Sequence, residues 1–319
     1  MKRIIQSILA ALLVVTLAGC GSTSPNASSE GLKITAEILP EYDWVMNILG
    51  DNPAGAEVTL LMNSGTDLHS YQPTAGDILK IADCDLFLCV GGESDRWAED
   101  ALRESANPDR TVIRLLEVSG SQPLEEELPE GAEGEAEEGV YDEHIWLSLR
   151  RSEILVQAIG DAIAAKDPAH AALYQENTAA YIEQLRKLDD AYAQAVRSAD
   201  RTVLVFGDRF PFRYLAEDYG LTCYAAFPGC SAESEAGFAT VLNLAAKLDE
   251  YGLRHVMKIE GSDDRLARTI IENSKDRTRD ILTLNSMQGG KRGDFSYLAV
   301  MEENLKVLKQ ALNEGMEDR

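Results

Sequence analysis

The sequence predicts an α/β protein made of two open α/β lobes joined by one long rigid helix. Three observations carry this reading. Strand-like and helix-like segments alternate from Leu32 to Leu116, and the alternation restarts at Val203. Between the two, no Gly or Pro follows Pro168 until past Arg197. Strands that alternate with helices favour a parallel sheet with helical crossovers.

The chain of 319 residues opens on a targeting signal. Lys2 and Arg3 precede an apolar stretch, Ile4 to Leu17, too short to span and anchor well. Leu17-Ala-Gly-Cys20 resembles a bacterial lipobox, which implies cleavage before Cys20 and lipid on that residue. Residues 1–20 are thus expected to be a lipoprotein signal peptide and 21–31 a flexible polar tether. The rest is long enough for two domains with substantial cores.

In the first lobe, expected over 32–167, strand patterns fall at Leu32–Leu39, Glu57–Met62, Cys84–Val90 and Thr111–Leu116. Helices fit Pro40–Leu49, closed by Gly50, then Thr74–Ile81, the stretch carrying Trp97 and Leu102, and Ser152–Lys166. Residues 120–139 are glutamate-rich with few bulky apolar side chains and are expected to form a mobile acidic loop. A linking helix is expected over 168–199, roughly 45 Å long if continuous; a helix–turn–helix pair is the alternative. The second lobe, 200–319, reads as strands at Val203–Phe206, Thr222–Phe227, His255–Glu260 and Asp280–Leu284. Helices fit Phe212–Tyr219, Thr240–Tyr251, Arg265–Ser274 and Tyr297–Leu312.

The net charge of −24 becomes −26 once Lys2 and Arg3 are removed, which argues against nucleic acid as a partner and favours cations. Cys84 and Cys89 are spaced to point to opposite strand faces, whereas Cys223 and Cys230 flank a turn where a disulfide can form. Neither pair has the spacing of a structural zinc site.

The chemistry concentrates on two of the four histidines. His144 stands between acidic residues and Trp146, downstream of Glu125, Glu126, Glu127, Glu130, Glu133, Glu135, Glu137 and Glu138. His69 lies in Asp67-Leu-His-Ser-Tyr-Gln-Pro73. Neutral imidazole is the commonest protein metal ligand, and an acidic segment beside it raises the local cation concentration. Ligands of open α/β sheets bind at the carboxyl ends of strands, and His69, Asp208, Glu260 and Asn285 all fall there.

Several motifs then converge. They are Leu39-Pro-Glu-Tyr-Asp-Trp44, His69-Ser-Tyr-Gln-Pro-Thr-Ala-Gly-Asp-Ile78, Val90-Gly-Gly-Glu-Ser-Asp-Arg-Trp97, Asp142-Glu-His-Ile-Trp-Leu-Ser148, Gly207-Asp-Arg-Phe-Pro-Phe-Arg-Tyr214, Ala226-Phe-Pro-Gly-Cys-Ser-Ala-Glu233 and Tyr297-Leu-Ala-Val-Met-Glu-Glu-Asn304. In order and content they resemble the zinc/manganese solute-binding lipoproteins of bacterial metal ABC importers, the ZnuA/AdcA-like family. The resemblance implies a metal site in the interlobe cleft, with His69 and His144 as ligands. It places the third ligand at Arg209, where the adjacent Asp208 is the available donor, and the fourth at Asn285; Glu260 is a further candidate. The implied ligand is Zn2+, with Mn2+ as an alternative. The implied partners are a permease and its ATPase, with the chain a monomer lipid-anchored outside the cytoplasm. No catalytic residue is implied. A different class, an exported zinc-dependent hydrolase, is the competing reading; HExxH, GxSxG and P-loop patterns are absent from the sequence.

Overall fold

The computed structural model describes residues 31–313 apart from 64, 104–106, 128–139, 232–235 and 294. The signal segment 1–20 with Cys20, the tether up to residue 30 and most of the acidic stretch lie outside the described residues. No helix among the described residues is long and apolar enough to cross a membrane.

Two four-stranded sheets, all pairs parallel, organise the chain. The first has the order β2-β1-β3-β4, formed by β1 (Lys33–Ala36), β2 (Glu57–Leu60), β3 (Leu86–Cys89) and β4 (Thr111–Arg114). The second repeats the pattern as β6-β5-β7-β8, from β5 (Val203–Phe210), β6 (Thr222–Pro228), β7 (His255–Ile259) and β8 (Asp280–Leu284). The helices are α1 (Leu39–Leu49), α2 (Ala75–Asp83), α3 (Trp97–Arg103), α4 (Leu115–Val118), α5 (Leu149–Lys166), α6 (Ala171–Arg197), α7 (Arg213–Tyr219), α8 (Phe238–Glu250), α9 (Arg265–Glu272) and α10 (Tyr297–Leu312).

Local chemistry sets the helix ends. Thr74 and Asp77 cap α2 reciprocally, Ser148 Oγ accepts from Arg151 N at the start of α5, and Gly220 closes α7 in the left-handed region at φ 70°. The linking helix α6 is one unbroken helix of 27 residues, about 40 Å long. Its first half meets the first lobe: Asn177 Nδ2 donates to Ile48 O and Tyr181 OH to Asp43. Its second half meets the second lobe, where Tyr192 OH donates to Met301 O. The main apolar core runs through both lobes, from Ile34, Trp44 and Leu88 through Trp146, Leu185 and Tyr192 to Phe206, Met257 and Tyr297, with a smaller cluster on each sheet beside it.

Two expectations change. The start of the acidic stretch is fixed in place: Glu125 pairs with Tyr141 in an antiparallel bridge, Glu126 N donates to Val140 O, and Glu127 pairs with Arg213 at 2.6 Å. Cross-strand bonding and a half-buried cation partner hold these residues despite their composition. Strand β5 also runs on to Phe210 instead of stopping at Phe206, with a register shift between Phe206 and Arg209. Such a bulge lets a Gly and two charged residues continue a strand that composition reads as ended.

Candidate metal centre

The carboxyl edges of the two sheets face one another. From the first come the turn carrying His69, after β2, and the Gly91–Asp95 loop, after β3. From the second come the loops after β6 and β8, carrying Cys230 and Gln288. The segment 140–148 passes between them and brings His144.

His69 is the second residue of a short 3₁₀ turn, Leu68–Ser70, whose cap Asp67 accepts from His69 N at 2.9 Å. Its Nδ1 lies 2.8 Å from Ser94 Oγ and 3.4 Å from Glu143 Oε2. His144 is fully buried and caps the next 3₁₀ turn, Ile145–Leu147. Asp142 Oδ1 takes both its backbone N–H at 2.8 Å and its Nδ1 at 3.0 Å. The Asp142 carboxylate can only accept, so it takes the Nδ1–H of His144 and leaves that ring's Nε2 as the lone pair. The Nε2 atoms of the two rings lie 3.1 Å apart. A proton on His69 Nε2, or a cation bound between the two rings, satisfies such an approach. Two imidazole nitrogens bound to one tetrahedral zinc at about 2.0–2.1 Å stand about 3.3 Å apart.

Several contacts hold His144 in place. Trp146 Nε1 donates to Ser286 O across the cleft at 2.9 Å, Tyr214 OH donates to Asp142 O at 2.8 Å, and Tyr297 OH donates to Trp146 O at 2.7 Å. Gly229 lies so close that a Cβ there would stand 3.0 Å from His144 Cε1. A side chain at Gly92 would overlap the Glu143 carboxylate, which accepts from Ser94 N at 2.8 Å. Burial alone would raise the Glu143 carboxyl, but the His69 and Ser94 hydrogen bonds outweigh it and hold it below the ordinary range.

Among the described residues, one ring nitrogen each from His69 and His144 and the Sγ of Cys230 form the group of potential donors within 4.8 Å of one another. The structure does not bring Asp208 to this group. Because β5 continues, its carboxylate is spent on backbone, Oδ1 on Arg209 N at 2.8 Å and Oδ2 on Ile259 N at 3.1 Å. Glu260 lies outside the group as well: it binds the backbone N–H groups of Ser286 and Gln288 and the Ser286 hydroxyl, shaping the turn after β8. Asn285 Oδ1 accepts from Met287 N at 2.8 Å and helps form the same turn. Beyond that turn, Gln288 puts its Nε2 2.7 Å from His144 Nε2.

Sequence reasoning missed Cys230 and Gln288 as neighbours of the histidines. The available signal was their position just past β6 and β8. Cys223 and Cys230 are unlinked, and the four described cysteines are free thiols. Cys84 and Cys89 share one apolar cluster, because Cys84 precedes the strand and escapes its alternation.

Arg209 bridges the lobes. Its Nη2 meets Asp67 Oδ2 at 2.8 Å and its Nη1 donates to Ser231 O at 3.2 Å. Burial would raise the Asp67 carboxyl, but Arg209 and His69 together hold it below the ordinary range. Beside this pair a cavity of about 360 Å³, lined by Asp67, His69, Asp208, Arg209, Asp263 and Arg265, opens onto the His69 side of the site.

Comparison with known proteins gives a consistent picture. The family profile of the zinc-uptake complex component A, periplasmic, matches residues 34–311. Zinc-binding lipoprotein AdcA of Streptococcus pneumoniae R6 is 32% identical over 324 residues, covering 98% of this chain and 62% of that protein. The chain therefore spans less than two thirds of that relative's length. High-affinity zinc uptake system protein ZnuA of Bacillus subtilis 168 is 27% identical, with 96% of each chain covered. The crystal structure of the Zn(II)-bound ZnuA-like domain of Streptococcus pneumoniae AdcA superposes with a TM-score of 0.71 at 29% identity, covering 89% of this chain and all of that one.

Proposed function

Because this chain belongs to the family of the periplasmic zinc-uptake complex component A, we propose that it captures Zn(II) outside the cytoplasm and hands it to an ABC permease and its ATPase. The observation that carries this reading is the pair of facing Nε2 atoms of His69 and His144, with Nδ1 of one ring on the Ser94 hydroxyl and of the other on the buried Asp142 carboxylate. A binding protein needs donors that close on the ion and need not leave a position for a reacting water. Glu143, the residue a hydrolase would use as base, gives Oε1 to Ser94 N, and its Oε2 lies 3.4 Å from His69 Nδ1. Imidazole-rich sets suit zinc better than manganese. The motif ending at Cys20 supports attachment of the monomer to the membrane by lipid.

The test is calorimetric. The mature chain should bind one zinc tightly, and zinc should displace manganese. His69→Ala and His144→Ala should each lower zinc affinity about a hundredfold or more, beyond the 10–100-fold expected for outer partners, with unchanged circular dichroism. Near-native affinity in both variants would overturn the reading.

A further inference from the structure

The histidine pair leaves a tetrahedral ion with two positions to fill. Asp208, Glu260 and Asn285 are all tied to backbone N–H groups of the second lobe. The loop after β6 is built differently. Gly229 has no side chain to hold it off the His144 ring. Glu126 accepts from Cys230 N at 2.8 Å, and Arg209 donates to the carbonyl of the next residue, Ser231. The loop is thus held by two contacts and free to approach the ring, and Cys230 Sγ is brought within 4.8 Å of a nitrogen from each histidine. Around one tetrahedral zinc, sulfur at about 2.3 Å and nitrogen at about 2.0–2.1 Å stand about 3.6 Å apart. Closing from up to 4.8 Å to that spacing requires the loop to move inward on the ion.

We propose that Cys230 is the third zinc ligand, bound as a thiolate, so that the cargo sits in a two-nitrogen, one-sulfur set. This rests on the capture reading above and deepens it. On binding, the Zn–S bond forms as the thiol proton leaves to bulk water, and the thiolate cancels one of the two charges of the ion. Arg209, a cation beside the site, is kept out of the coordination sphere by Asp67. A thiolate donor favours zinc over manganese, which prefers oxygen. The specificity of the site would then reside in a residue of the second lobe, opposite His69.

Zinc-edge X-ray absorption on the full mature chain loaded with one equivalent of zinc decides the matter. The expected result is one sulfur at about 2.3 Å alongside nitrogen and oxygen at about 2.0–2.1 Å. Cys230→Ser should remove the sulfur shell while zinc stays bound more weakly, and Cys223→Ser should leave the shell intact. A wild-type spectrum with nitrogen and oxygen alone, at full zinc occupancy, overturns the thiolate and leaves the histidine reading standing. A sulfur shell that survives Cys230→Ser also overturns it, pointing to another thiol. A chain that retains no zinc overturns the capture reading, and the ligand assignment falls with it.

Discussion

His69 and His144 meet through their Nε2 atoms at 3.1 Å, although 75 residues separate them in the chain. His69 lies within one short 3₁₀ turn and His144 caps another, and the backbone N–H of each is taken by the acidic side chain two residues before it, Asp67 for one and Asp142 for the other. Those carboxylates do more than cap. Asp142 orients its imidazole directly, and Asp67 ties its turn to Arg209 in the opposite lobe.

Removing the orienting carboxylate should be felt at the metal without unfolding the chain. Asp142→Asn should lower zinc affinity about 10–100-fold. The test is competition against a chromophoric chelator, with melting temperature as the control for fold. Unchanged affinity would mean that packing against Trp146, 5.4 Å away centroid to centroid, orients His144 by itself.

The Asp67–Arg209 pair should couple the lobes. Its side chains are about one-fifth exposed, so solvent screening is partial. A double-mutant cycle of Asp67→Asn and Arg209→Gln should give a coupling of about 1 kcal/mol in metal-free urea unfolding. The folded Asp67 carboxyl lies below its ordinary value of 3.8, so the contribution is present above that pH and fades as pH falls through the depressed value. A coupling independent of pH would show that the ion pair is not its source.

Glu41 predicts the opposite dependence. It is fully buried; its Oε2 accepts from the N–H groups of Glu37 and Ile38, and its Oε1 has no partner. Burial, outweighing those two bonds, raises it from 4.5 to about 8. The unfolded chain releases this proton more readily than the folded one. Stability is therefore complete below pH 4.5 and declines as pH rises toward about 8. Glu41→Gln should raise the melting temperature at pH 8 by several degrees, at roughly 2–4 °C per kcal/mol, and the two proteins should converge near pH 4.5. An equal difference at both values would rule out titration of this group.

The acidic segment should act on rate more than on equilibrium. Glu130, Glu133, Glu135, Glu137 and Glu138 concentrate negative charge between two points joined by the Glu125–Tyr141 bridge. Replacing residues 128–139 with a short Gly-Ser linker should slow zinc association several-fold at low salt and spare most of the affinity. Stopped-flow traces at two ionic strengths test it. A lost equilibrium affinity with an unchanged association rate would reverse the assignment.

The fold was legible where periodicity was strong. Asp280–Leu284 and Tyr297–Leu312 come out of the sequence to the residue, because apolar patterning marks both. The two histidines were legible as rare residues in acidic surroundings. The rest of the site was not, because loops past strand ends carry no period. Asp208 looked like a free loop carboxylate because Gly207 and two charges suggest a strand end, and only the pairing of Arg209 with Phe227 shows otherwise. Cys230 was weighed as a disulfide partner of Cys223, since sequence separation is visible and spatial neighbours are not.

The long helix α6 and the core it shares with both sheets bear on how the ion gets out. A clamshell opening would tear apart packing that runs from Trp44 through Leu185 to Tyr297. The three-residue turn that carries His69 is secured by less: one core side chain, Leu68, together with Asp67, Ser94 and the partly exposed Arg209 contact. Local opening of such a turn costs much less than separating a core. On the capture reading, release is expected at one small turn, and a docking partner that separates Asp67 from Arg209 should shorten the ion's residence while the spine stays still.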